Sequence, residues 1–179
     1  PISGTVLLGT TPVFQWTPGI RANLYRLDFH SVGDHLDYSV VVQDGLSVEA
    51  PVPTDGYPLS VRLTTLFTDG SQAFKVYNFN PAEASTLISP QLGALPGQLV
   101  YFAWSQGTSV QTYGLTVGST LGGSELFDAP QIVDVPQWEA LGTGVGNLPT
   151  DGSQVWARLY SYFVNGSSTY KDYVFTAAS

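Results

Sequence analysis

Between Val52 and Thr65 the chain reads VPTDGYPLSVRLTT, and between Leu148 and Ser161 it reads LPTDGSQVWARLYS. Pro53, Arg62 and Lys75 recur 96 positions later as Pro149, Arg158 and Lys171, and FTDGSQAFKVYNF (Phe67 to Phe79) recurs as FVNGSSTYKDYVF (Phe163 to Phe175). Nearer the start, Phe14, Trp16 and Tyr25 recur 88 positions later as Phe102, Trp104 and Tyr113, so the second copy holds 96 − 88 = 8 extra residues between these anchors. Self-similarity over the whole length at roughly 90 residues means two copies of one small domain, because that period is too long for a solenoid unit. The sequence therefore divides into a first repeat at 1–82, a linker at 83–89 within NPAEASTLIS, and a second repeat at 90–179 with a longer middle loop.

Within each copy, apolar or alternating runs such as PVFQW, LYRLDF, LVYFAW, YGLTV and VWARLYSYF are bounded by Gly, Pro, Asn and Ser, the pattern of strands. The last two runs are joined through Asp69-Gly70 or Asn165-Gly166, dipeptides that accept the positive φ of tight hairpin turns. Alternation along the penultimate run puts Val155, Ala157, Leu159, Ser161 and Phe163 inward and Trp156, Arg158, Tyr160 and Tyr162 outward. The first copy presents the blander outward set Ser60, Arg62, Thr64 and Leu66.

A Trp ending one strand, a Tyr-x-Leu strand, a Leu/Val-Pro turn, a long x-Arg-Leu strand, then a Gly hairpin and an aromatic-rich last strand follow one another in both copies. That order resembles the fibronectin type III fold among the immunoglobulin-like sandwiches. Trp16/Trp104, Tyr25/Tyr113 and Leu63/Leu159 stand where that family keeps core side chains. The resemblance implies an all-β chain of two tandem sandwiches, each with seven strands or nearly so, and with Trp16 and Trp104 buried as equivalents. The family's Tyr shortly after the Leu-Pro signal is absent, and Leu59 and Val155 stand near its place. The tandem LPTDG…ARLYS…NGS pattern is also similar to repeats of exported bacterial surface proteins, which are strung along long chains.

Composition narrows the function. With 6 Lys+Arg against 14 Asp+Glu the net charge is −8, which disfavours nucleic acid and anionic membrane surfaces as partners. There is no Cys, which removes disulfides and thiol chemistry, and the absence of a basic-apolar leader reads as a mature or excised segment whose signal peptide and anchor lie outside it.

Candidate chemistry is sparse. One Asp per PTDG is poor support for a calcium loop, and a turn in which the Asp caps its own backbone accounts for the motif. His30 and His35, beside Asp28, Asp34 and Asp37, could make a metal site, but the second copy retains neither His. No nucleophile–base set is recognisable, so the expectation is no enzyme, no metal and no cofactor. Asn165 begins a formal glycosylation triplet that the hairpin turn also explains.

The informative residues are the outward aromatics. Trp156, Tyr160 and Tyr162, with Tyr170 on the hairpin partner, form an expected strip around Arg158 and Asp172, and the enlarged loop adds Trp138. Such a strip binds another protein, stacks on sugar rings, or covers itself by cross-strand pairing. The reading that results is a non-catalytic extracellular structural or adhesive module of a bacterial surface protein, its partners being other copies or other surface proteins, extending to a filament or surface layer. The alternatives are a carbohydrate-binding module using this face, and a passive spacer.

Overall fold

The computed structural model describes residues 1–31, 36–132 and 141–179, which form two compact units, Pro1–Glu83 and Ala84–Ser179. The strands of the first unit are β1 (Val6–Leu7), β2 (Val13–Gln15), β3 (Ala22–Ser31), β4 (Leu36–Val42), β5 (Ser47–Glu49), β6 (Leu59–Phe67) and β7 (Gln72–Pro81). Those of the second are β8 (Leu87–Ser89), β9 (Gly93–Ala94), β10 (Val100–Trp104), β11 (Val110–Gly118), β12 (Phe127–Ile132), β13 (Gly142–Val145), β14 (Gln154–Phe163) and β15 (Ser168–Thr176). Among the described residues no helix is long and apolar enough to cross a membrane.

In the second unit a three-stranded sheet, β13-β10-β8, faces a five-stranded sheet, β12-β11-β14-β15-β9. The first unit has the corresponding five-stranded sheet, β4-β3-β6-β7-β1, with β2 and β5 alone on the other side among the described residues. The alternation expected for β14 holds residue by residue, with Val155, Ala157, Leu159, Ser161 and Phe163 buried and the residues between them partly exposed. The same stretch of β6 departs from expectation at Thr64, which faces outward yet is buried, because its cross-strand neighbours Arg26 and Phe74 flank it.

The two cores repeat one another. Phe14 meets Phe79 edge-to-face at 5.6 Å and Phe102 meets Phe175 in the same way at 5.9 Å, while Trp16–Tyr25 and Trp104–Tyr113 are tilted pairs at 5.4 and 5.9 Å. Edge-to-face contact sets the positive ring edge against the negative ring face, so these pairs add to the burial of the rings. Trp104 is buried, as expected, but Trp16 is only half-buried. The reason lies in strand complement: β10 is flanked on both sides, whereas β2 pairs only with β5 among the described residues.

The turns follow local chemistry. Asp55 and Asp151 of the two PTDG motifs each accept the backbone N–H two residues on, from Tyr57 at 3.0 Å and Ser153 at 2.9 Å. At the hairpins only the glycines take positive φ, Gly70 at 82° and Gly166 at 86°. Asp69 and Asn165 instead use their side chains, accepting from Ser71 and Ser167. Each loop is thus a turn followed by a left-handed Gly, with Phe67 and Phe163 bonded to Ser71 and Ser167 across it.

The segment read as a linker is not one. Ala84 and Ser85 are buried, and Leu87–Ser89 is strand β8 of the second unit. Its Glu, Ser and Thr suggest a solvated connector, but groups far along the chain hold it, beginning with Ser161, whose Oγ accepts the Ser85 N–H at 2.9 Å.

Candidate functional site

The β14–β15 ladder sets Trp156 opposite Val174, Arg158 opposite Asp172, Tyr160 opposite Tyr170 and Tyr162 opposite Ser168, all on the outward face. Arg158 donates to Asp172 through two nitrogens, Nε to Oδ1 at 2.7 Å and Nη2 to Oδ2 at 3.0 Å, the planar fork that matches a carboxylate. Its guanidinium carbon lies 3.9 Å from the centre of the Tyr170 ring, a cation–π contact. Asp172 first, and the Tyr160 hydroxyl after it, hold the guanidinium above its ordinary pKa.

The tyrosines pack on one another. Tyr160 stacks on Tyr162 at 6.1 Å with the rings 16° apart, and tilts against Tyr170 at 5.9 Å and 59°. Burial, and then the neighbouring Tyr160, push the Tyr162 hydroxyl above its usual range. Five of the expected residues, Arg158, Tyr160, Tyr162, Tyr170 and Asp172, therefore form one cluster. Trp156 lies beyond the ion pair in the ladder, half-buried and without a ring contact to the tyrosines. Trp138 lies outside the described residues.

A feature the sequence did not announce is the loop between β11 and β12, which folds back on this face. A side chain at Gly118 would strike Gly123 and Glu125, and one at Gly122 (φ +77°) would sit 3.2 Å from the Arg158 guanidinium. Glu125 anchors the loop by accepting the Ser119 N–H and hydroxyl. Those bonds hold its carboxyl well down, at about 2. The run TVGSTLGGSELF contains this information only as glycines, whose purpose needs the sheet beneath them.

The corresponding face of the first unit is ionic. Asp28 takes Arg62 at 2.8 Å, Arg26 at 3.0 Å and the Ser39 hydroxyl at 2.6 Å. Burial pushes the Asp28 carboxyl up, but the bonds from Ser39, Arg62 and Arg26 outweigh it and leave it below the usual value. Phe74, the counterpart of Tyr170, sits 5.7 Å from the Arg62 guanidinium, so both copies keep an Arg beside a hairpin aromatic. His30 bonds Asp37 at 2.6 Å as an exposed cross-strand pair, and His35 lies outside the described residues. Among the described residues no three His, Cys, Asp or Glu come together as a metal-binding group.

Two facing sheets with a parallel first-strand contact (β1 on β7, β9 on β15) and antiparallel pairing elsewhere define the architecture. Both units are two-sheet β-sandwiches, the fold that the resemblance to fibronectin type III repeats implied. Among solved structures the chain is similar to the fibronectin(III)-like modules of Clostridium thermocellum CbhA, at 9% identity over 99% of this chain and 91% of that one, with a TM-score of 0.38. It is also similar to a two-domain fibronectin type III segment of chicken tenascin, at 12% identity over 94% and 93%, with a TM-score of 0.37. A third is the central fibronectin-III array of RIM-binding protein, at 8% identity over 99% and 69%, with a TM-score of 0.34. No protein-family model and no curated protein matches the sequence. In the second unit the clustered tyrosines thus occupy the last hairpin's outward face, with the five-stranded sheet beneath them.

Proposed function

We propose that the chain is a non-catalytic structural and adhesive module of an extracellular bacterial surface protein, making its contacts with other copies or other surface proteins through the outward face of β14 and β15. The observation that carries this reading is the cluster of Tyr160, Tyr162 and Tyr170 around the doubly bonded Arg158–Asp172 pair. Tyr and Arg held rigid on a sheet supply contact area at little entropic cost and dominate protein interfaces. The rings pack against each other and against the guanidinium, giving a ridge whose one ion pair is already made within it. Such a ridge suits a shaped protein surface.

The carbohydrate reading keeps one observation in its favour: Tyr170 is 52% exposed, enough for a ring to stack on a sugar. Sedimentation over a wide concentration range and a glycan screen, each with wild type and the Tyr160→Ala, Tyr170→Ala double variant, separate the readings. We expect concentration-dependent association, weakened about tenfold or more in the double variant. Association unchanged by the double variant sinks the adhesive use of this face, glycan binding lost in it moves the assignment to sugar, and no association or ligand at all leaves the spacer.

A further inference from the structure

The inward side of the first unit has a groove of about 310 Å³ beside the edge of β2, lined by Trp16, Thr17, Thr65, Lys75 and Tyr77, with Pro1 on its wall. Among the described residues β2 has no strand on that edge. In the second unit the corresponding place is filled by residues 84–89. Ser89 and Leu87 stand opposite Ala103 and Trp104 in the β8–β10 pairing. Thr86 and Ser105 exchange two bonds of 2.9 Å, the Thr86 carbonyl accepting the Ser105 N–H and the Ser105 Oγ accepting the Thr86 N–H. Ser161 Oγ accepts the Ser85 N–H and Tyr173 Oη the Leu87 N–H, both at 2.9 Å. Lys171 Nζ donates to Thr86 Oγ1 at 2.8 Å and to the Ala84 carbonyl at 3.5 Å.

The repeat correspondences carry each of these groups onto the empty groove. At 88 positions Trp104 becomes Trp16 and Ser105 becomes Thr17; at 96 positions Ser161 becomes Thr65, Lys171 becomes Lys75 and Tyr173 becomes Tyr77. A hydroxyl replaces each hydroxyl, an ammonium the ammonium and an indole the indole, and all five residues are among those that line the groove. No protein group among the described residues bonds the side chains of Thr17, Thr65, Lys75 or Tyr77. Pro1 corresponds to Ser89 and lines the groove, so a segment joined ahead of it would meet the edge of β2 where residues 84–88 meet β10 in the second unit.

We propose that this groove seats an extended strand joined to the chain ahead of Pro1, with the chemistry of Ala84–Ser89: small and hydroxyl-bearing residues around one leucine that rests on Trp16. An open strand edge takes a further strand through backbone bonds, with side-chain pockets choosing which one. Here the Lys75 ammonium and Thr17 N–H address carbonyls, the Tyr77 and Thr65 oxygens address N–H groups, and the indole addresses the leucine. The proposal is independent of what the tyrosine face of the second unit binds.

The test places a copy of residues Pro81–Ile88 directly ahead of Pro1 in the full chain, so that the copied leucine falls in register with Trp16. Hydrogen exchange of the Thr17 amide is then read by NMR together with the Trp16 indole resonance. We expect Thr17 exchange to slow about tenfold or more, the indole resonance to move, and the first unit to melt about 5 °C higher or more. Changing the copied leucine to aspartate is expected to abolish all three effects. The proposal is overturned if Thr17 and Trp16 are unaffected by the extension, if the aspartate copy protects equally well, or if only a free peptide of Pro81–Ser89 protects, which would assign the groove to a separate chain.

Discussion

Phe14 with Phe79 and Phe102 with Phe175 make the same edge-to-face contact in the two units, yet the indole two residues beyond is half-buried in the first and 2% exposed in the second. The ring pairs depend on strands each copy carries in full. The indole depends on β8, which lies ahead of the repeated block. One motif can therefore be core or surface according to what covers it. The outward faces differ in a second way: Arg62 takes its carboxylate from Asp28 on β3, Arg158 from Asp172 on β15. Freed of the Arg, the β11 positions opposite Tyr160 and Trp156 are Gly114 and Gly118, and other backbone crowds both.

The largest test of the shared core is truncation. Phe102→Ala removes a fully buried ring and is expected to cost about 3–5 kcal/mol in urea unfolding, with Phe14→Ala close behind. A loss below about 1 kcal/mol at either site would break the equivalence of the cores. Next comes the difference between filled and open grooves. Tyr173→Phe leaves the Leu87 N–H without its acceptor and should cost about 1–2 kcal/mol, while Tyr77→Phe should cost about nothing. Equal costs would contradict the asymmetry.

Smaller still is the Arg–aromatic contact. Tyr170→Ala is expected to lose about 0.5–1 kcal/mol from its 3.9 Å cation–π contact, and Phe74→Ala less from a 5.7 Å one, in thermal melts at low and high salt. The smallest effects are in acid. Asp28 is held below its ordinary 3.8, so the unfolded chain binds that proton first. The stability it contributes is complete above 3.8 and is lost as pH falls through the folded value. Glu125, at about 2 against an ordinary 4.5, follows the same sign, its Ser119 bonds persisting until pH approaches 2. Carboxyl NMR titration checks both, and Glu125 titrating near 4.5 would show its bonds to Ser119 absent.

Much of the fold was legible because strand alternation and turn chemistry are local. The inward set of β14 and the side-chain caps of Asp55 and Asp151 follow from residues within two positions of each other. What failed was non-local. NPAEASTLIS has a connector's composition, but Ser161, Lys171 and Tyr173, some 76 to 87 positions away, make it a strand. Thr64 is buried by neighbours on two other strands. The candidate face was half legible: alternation and the hairpin register bring Arg158 to Asp172 and Tyr160 to Tyr170, whereas the loop resting on Arg158 and the separation of Trp156 from the tyrosines required coordinates.

By itself the sequence determined that there are two copies of one sandwich, which residues point inward along β14, and where the chain turns. These follow from the two-residue period of a strand and the φ preferences of Gly, Asp and Asn, which act over a few bonds. Only the tertiary structure decided that Trp104 is fully covered and Trp16 only half, that Asp28 gathers two arginines, and that a groove in the first unit repeats five of the side chains that surround β8. Burial and pairing depend on which distant strand arrives alongside, and no local pattern carries that information.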